Sequence, residues 1–275
     1  MRRIQFIEIH EQAWFPSTLR DRVTDALQFG FNLLKVYAPT VPLLAGALEA
    51  TAARPGEARD GCSVVDLCSG AGGPWLDLAR RLGTRAPGLR ILLTDKYPNL
   101  AAFGNAAAAG EDRLRFYPGS VDAKNVPVKL KGLRTLFTSF HHFAPEEAQA
   151  ILQNAVDAGE GIGIFEVSRR AQVTIALVLP LVLVMWLGTP WIRPFRWSRL
   201  LWTYLIPVVP LVLWFDGVVS CLRTYCPEEL RALAGALKAS GYRWETGEHR
   251  SGFAGAPITY LIGYPDASPE KPRSG

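Results

Sequence analysis

The sequence predicts an α/β fold: a mostly parallel sheet with an antiparallel last strand, preceded by helices and interrupted late by a hydrophobic helical hairpin. Three observations carry this. From Cys62 to Val167 short apolar runs alternate with longer amphipathic stretches, the pattern of repeated strand–helix units. Each helix candidate in that span is opened by a proline, where the missing N–H costs nothing. After a long apolar interruption the pattern resumes with one helix and two strand-like runs joined by a loop containing glycine.

Taken in order, Trp14–Ala53 reads as helical, with Leu19, Val23, Leu27, Phe31 and Leu34 at approximate helical spacing, and is expected to pack over one end of the sheet. The strand candidates are Ser63–Leu67, Arg90–Thr94, Leu114–Pro118, Arg134–Ser139 and Ile162–Val167. Between them lie helices at Pro74–Leu82, Pro98–Ala109 and Pro145–Ala158. A helix at Pro227–Ser240 and strands at Arg243–His249 and Ile258–Tyr264 complete the sheet. This divides the chain into a helical cap (1–60), the sheet domain (61–170 and 223–266), a hydrophobic insert (171–222) and a tail (267–275) whose Pro, Ser and charge predict disorder.

A chain of 275 residues that is 49% hydrophobic and 20% charged can bury one substantial core. The formal charge of +5 does not point to nucleic acid, because the arginines are dispersed and no basic run is interleaved with aromatics. No nucleic-acid partner is expected. Four cysteines, Cys62, Cys68, Cys221 and Cys226, fit neither a disulfide framework nor zinc spacing, so no metal is expected and a reduced, cytoplasmic setting is the default. The stretch Met1–Glu8 breaks into charge before an apolar core of signal-peptide length accumulates.

The insert is free of charge from Ala171 through Ile192 and from Leu200 through Phe215, with the basic, aromatic loop Arg193–Arg199 between. Two membrane-spanning helices are one reading. Pro180 cuts the first run, Pro207 and Pro210 cut the second, and a second run of about 24 Å is short of a hydrocarbon core of about 30 Å. A spanning hairpin would also place Arg193, Arg196 and Arg199 outside, against the positive-inside tendency. A monotopic or re-entrant hairpin on the cytoplasmic side of a membrane is therefore favoured, its tryptophans in the interfacial belt and its arginines at anionic headgroups. A lid over the protein's own core is the alternative.

The segment Val64-Val65-Asp66-Leu67-Cys68-Ser69-Gly70-Ala71-Gly72-Gly73 supplies the glycine turn that a nucleotide-like ligand requires after the first strand of a parallel sheet. A dinucleotide fingerprint would place a glycine where Trp75 stands, which disfavours NAD and FAD. Asp95, at the end of the second strand, has the spacing of an acid that binds ribose hydroxyls.

Over Cys62–Tyr264 these blocks resemble the class I S-adenosylmethionine-dependent methyltransferases, a Rossmann-like family. The resemblance implies S-adenosyl-L-methionine as cofactor. Asp66, Cys68, Ser69, Gly70 and Gly72 match that family's acidic-glycine motif, with Cys68 in place of its first glycine. Asp95 matches the acid for the ribose diol, Lys96 and Tyr97 line the adenine, and Ser120 and Asp122 fall where an acid accepts from the adenine amino group. Phe140-His141-His142-Phe143 falls where the family lines the pocket beside the transferable methyl.

Plainer roles exist for several of these residues. Asp66 can cap a turn and Asp95 a helix, but both sit at strand ends on one sheet edge, which favours function. His141 and His142 are the available bases, and strand geometry would point them in opposite directions, so that at most one faces the pocket. Glu166 is expected to pair with Arg169 or Arg170, with orienting a substrate as the alternative, and Asp216 to turn the chain back to water with Gly217, with a polar contact to the substrate as the alternative. Cys221 and Cys226 read as small hydrophobes. The sequence thus predicts methyl transfer to a lipid, isoprenoid, quinone-like or other hydrophobic acceptor at a membrane surface. A soluble small-molecule methyltransferase with an apolar lid, or a membrane-tethered cofactor-binding module without catalysis, are the alternatives. A nucleic-acid methyltransferase is disfavoured, because Ser139-Phe140-His141-His142 lacks the Asp/Asn-Pro-Pro-aromatic pattern.

Overall fold

The computed structural model describes residues 1–52, 63–250, 255 and 257–266. The expected tail, 267–275, lies outside them. Seven strands form one sheet: β1 (Ser63–Asp66), β2 (Arg90–Leu93), β3 (Leu114–Phe116), β4 (Leu133–Phe137), β5 (Ile162–Glu166), β6 (Tyr242–Arg250) and β7 (Pro257–Pro265). Their spatial order is β3-β2-β1-β4-β5-β7-β6. The first five run parallel, while β7 pairs antiparallel with both β5 and β6. This bears out the sheet read from the sequence. The order reverses direction between β1 and β4, the switch point at whose carboxyl edge ligands bind in doubly wound folds.

Side chains alternate across the strands, so each face has its own core. On one face Val64, Ile91, Leu93, Leu133 and Phe137 pack under α2 (Val41–Ala52), α3 (Trp75–Gly83) and α4 (Leu100–Ala109). On the other, Val65, Leu67, Leu136, Ile162 and Ile164 pack on α5 (Pro145–Asp157) and on α9 (Pro227–Gly235), which ends five residues short of its expected Ser240.

The expected N-terminal helical stretch is two helices. The first, α1 (Ser17–Leu33), is separated from α2 by Lys35, at φ 50°, and a 3-10 turn holding Pro39, and the axes bend by 67°.

The insert is helical as expected, but its prolines act differently from the expectation. α6 (Gln172–Gly188) runs through Pro180 without a break. A short α7 (Trp197–Leu200) continues into a π-helical turn, Leu201–Leu205. Pro207 separates that turn from α8 (Val208–Arg223) at a 69° bend, and Pro210 sits in the first turn of α8, where no N–H is needed. Gln172–Trp191 is long and apolar enough to cross a membrane; the second half qualifies only as a bent pair.

Both insert helices lie along α1. Val23 and Ala26 form a third apolar cluster with Val178, Val182, Met185, Val212 and Leu213. At the tip, buried Arg199 donates to Asp25 Oδ2 at 2.7 Å and to the carbonyls of Ile192 and Pro194. The opposite face leaves Leu179, Leu183, Trp186, Leu187, Trp191, Trp197, Leu205 and Trp214 exposed.

Candidate active site

The turn after β1 is left-handed at Cys68 (φ 56°), Gly70 (57°), Gly72 (112°) and Gly73 (50°). Three of these positions are glycine because a Cβ is disfavoured there; Cys68 bears the strain with a side chain. Asp66 holds the turn from below. Ser69 Oγ donates to its Oδ2 at 2.6 Å and Thr135 Oγ1 to its Oδ1 at 2.7 Å. Complete burial pushes the Asp66 carboxyl up to about 6, against the ionised form that the Ser69 and Thr135 bonds favour. Asp95 holds the turn from the side, accepting from the Gly70 amide and from the Tyr97 amide, both at 2.8 Å.

Beyond Asp95, Lys96 Nζ reaches Asp122 Oδ2 at 3.1 Å and the Lys124 amide donates to Asp122 Oδ1 at 3.0 Å. Partial burial opposes the Asp122 charge, but these donors outweigh it and hold the carboxyl below its usual range. Ser120 is exposed and donates to the Lys96 carbonyl.

Residues 140–142 form a 3-10 turn and not a continuation of β4. The turn alters the expected alternation. His141 and His142 lie on the same side with ring centroids 4.3 Å apart, and both line the cavity, while Phe140 turns into the core against Tyr225. Glu166 does not pair with Arg169 or Arg170. Its Oε1 accepts from the Phe140 and His141 amides, at 2.7 and 3.1 Å, and its Oε2 meets His141 Nδ1 at 2.7 Å. Arg170 pairs with Glu229 and Arg169 with Glu248.

Residues 1–15, unassigned to any function by sequence, lie as a strap over the two histidines. Glu8 is buried, with Oε1 3.3 Å from His141 Nε2 and 3.0 Å from Ser220 Oγ, and Oε2 3.6 Å from His142 Nδ1. Glu11 Oε1 pairs with His142 Nδ1, and Glu11 Oε2 accepts from Arg223 at 2.8 Å. His10 Nδ1 meets Asp216 Oδ2 at 2.7 Å. Asp216 is no turn residue. It lies inside α8, and its carboxylate accepts from the Ile9 and His10 amides at 2.7 and 3.1 Å. The signal missed in the sequence is the density of acid and imidazole in Glu8-Ile9-His10-Glu11.

Burial opposes charge on His141, but Glu166 and Glu8 outweigh it and push the ring up to about 10. His141 is therefore cationic near neutrality and a poor base. Burial likewise opposes ionisation of Glu8 and Glu11; the imidazoles prevail, holding Glu8 far below its usual range and Glu11 near about 2.

One cavity of about 630 Å³ joins these parts. Asp66, Cys68, Ser69, Gly70, Asp95, Lys96, Tyr97 and Asp122 line one end; Glu8, His10, Glu11, His141, His142 and Asp216 line the middle; Leu177, Leu181, Val182, Met185 and Leu213 of the insert line the other end. Gly72, Ser120 and Phe140 are not on its wall. Gly72 instead faces α1, where an added Cβ would stand 2.8 Å from Gln28 Nε2.

No protein-family model and no curated protein matches the chain. Among solved structures it is similar to an O-methyltransferase family protein from Burkholderia thailandensis, with 17% identity, TM-score 0.46, and coverage of 88% of this chain and 59% of that one. It is similar to human N-acetylserotonin methyltransferase in complex with SAM, with 17% identity, TM-score 0.46, and coverage of 88% and 56%. It is also similar to the plantazolicin methyltransferase BpumL in complex with SAH, with 10% identity, TM-score 0.47, and coverage of 90% and 97%. The chain thus spans under two thirds of the length of the first two. All three neighbours are methyltransferases by name.

Proposed function

We propose that this chain transfers a methyl group from S-adenosylmethionine to a hydrophobic acceptor taken up at a membrane surface. The observation that carries the reading is the continuity of the cavity, from the glycine turn past the histidines to the inner wall of the insert. Its volume, about 630 Å³, lies within the range of small-molecule sites.

The residues fit the cofactor. Each Asp95 carboxylate oxygen accepts one backbone N–H and keeps a lone pair for a ribose hydroxyl. Lys96, Tyr97 and Asp122 border the adjoining part of the wall, where an adenine would lie. Asp66 acts behind them, setting the turn. S-adenosylmethionine supplies a methyl already activated on a sulfonium, so the protein's task is alignment.

Leu177, Leu181, Val182, Met185 and Leu213 would hold the apolar body of the acceptor and exclude water. Its polar atom would lie at the His142–Glu11 pair, which takes the departing proton, while cationic His141, fixed by Glu166, keeps the turn in place. The exposed outer face of the insert supports uptake from a membrane, because an apolar patch of this extent marks an interaction surface. The anchoring of its tip on α1 by Arg199 and Asp25 supports a hairpin lying in the interface.

Two measurements test this. Asp95→Ala should weaken S-adenosylmethionine binding at least tenfold in calorimetry; unchanged affinity would overturn the cofactor site. Leu183, Leu187 and Trp191 are 47%, 61% and 67% exposed at four-residue spacing. A triple glutamate variant there should leave cofactor binding intact and abolish co-sedimentation with phosphatidylcholine–phosphatidylglycerol vesicles. If the parent protein stays in the supernatant, the insert is a lid. Transfer of labelled methyl into a membrane lipid extract then identifies the acceptor, and no transfer to any extract would leave a binding module.

A further inference from the structure

We infer that Glu8, His10 and His142 form a site for one divalent transition-metal cation of the zinc class, facing the cavity between the glycine turn and the insert. Sequence spacing concealed it, because two ligands come from the strap and the third from the turn after β4.

Each of the three residues offers one ligand atom, and these atoms all lie within 4.8 Å of one another. A tetrahedral site with bonds of about 2.0–2.2 Å separates its ligands by about 3.4 Å. The 3.6 Å between Glu8 Oε2 and His142 Nδ1 is close to that edge. Two histidines and one carboxylate are a donor set that suits zinc and related cations, and three protein ligands leave a fourth position open.

Three further features point to a cation. First, His142 Nδ1 lies within reach of two carboxylates, Glu8 and Glu11, one more than a single ring N–H can satisfy. Second, the His10 ring is fixed through Nδ1 by Asp216, which is itself held by two backbone amides. Nδ1 also faces Glu8 Oε2, at 3.7 Å; outer carboxylates orient metal-binding imidazoles through the nitrogen they hold, so the cation would be taken on Nε2. Third, Glu8, Glu11 and Asp216 bring three carboxylates to this part of the cavity, and among the described residues Arg223 is the permanent cation in ion-pair reach, touching Glu8 and Glu11.

The three ligands line the cavity, so the open position faces it. A hydroxyl or thiol of the acceptor placed there would be made more acidic. His142 would then give its lone pair to the cation, leaving Glu11 to receive the proton. This role rests on the proposed methyl transfer; the binding of the cation does not.

The test uses the full chain without an affinity tag, stripped with a chelator and titrated calorimetrically with Zn²⁺, then with Mg²⁺. One Zn²⁺ per chain is expected, at least a hundredfold tighter than Mg²⁺. Co²⁺ should give the visible absorption of a tetrahedral nitrogen–oxygen site. His10→Ala and Glu8→Gln should each weaken Zn²⁺ at least tenfold, with folding checked by circular dichroism. His249→Ala, exposed on β6, should not. Absence of stoichiometric Zn²⁺ binding by the parent chain, or loss of it in His249→Ala, would overturn the site. S-adenosylmethionine titrated into the same samples separates the two readings: cofactor binding without Zn²⁺ sinks the metal site alone, and Zn²⁺ binding without cofactor sinks the methyltransferase alone.

Discussion

Asp66 carries two opposed demands. Its carboxylate accepts from Ser69 and Thr135, yet complete burial raises its pKa from 3.8 to about 6. The folded state therefore binds a proton between about pH 4 and 6 that the unfolded chain has released, and this contribution to stability falls as pH rises through that window. An amide at this position does not titrate. Relative to the parent, Asp66→Asn should gain on the order of 2–3 kcal/mol between pH 4 and pH 7.5, read as the change in the stability difference by urea denaturation. A difference independent of pH would contradict the assignment. Gly72 presents a separate case. At φ 112°, with Gln28 where a Cβ would go, Gly72→Ala should cost about 1–3 kcal/mol and weaken cofactor binding by moving α1 off the turn.

Among the elements, α1 does most to join the parts. Residues at four-residue spacing share one side of a helix, and from Gln28 and Asn32 the side chains donate to the Ala71 and Gly73 carbonyls of the glycine turn. Another side, with Val23 and Ala26, takes the insert. The same helix thus ties the glycine-turn end of the cavity to the insert end. Asp25→Ala would leave Arg199 buried with only its two carbonyl partners, at a cost of about 2–3 kcal/mol. An additional Arg199→Met change should recover part of that loss in a double-variant comparison. The strands and βα helices were open to reading because period-two apolar runs, glycine and proline act locally. The break between α1 and α2 was less so, since apolar spacing continues across Pro39.

At the scale of the molecule, the sheet and the glycine turn were legible, and the middle of the cavity was not. Asp66 and Asp95 announce themselves by position after apolar runs. Glu8, His10 and Glu11 lie in a segment with no regular periodicity, and their partners, Asp216 and Arg223, sit in α8 far along the chain. Asp216-Gly217 even carries a turn signal, which loses to helix continuation because the strap amides satisfy the carboxylate. Tertiary pairing of this kind leaves no periodic trace, only the local density of acid and imidazole at residues 8–11.

The distance along the chain has a consequence for biosynthesis. Glu8 and Glu11 meet Ser220 and Arg223 across 212 positions, and Ile9 meets Asp216 across 207. The strap leaves the ribosome early and carries acids that have no permanent partner until α8 emerges. Contacts of such separation form late in folding. Until residues 216–223 have been made, the strap cannot form these contacts. Completion of the middle of the cavity is thereby tied to synthesis of α8, the last helix of the insert.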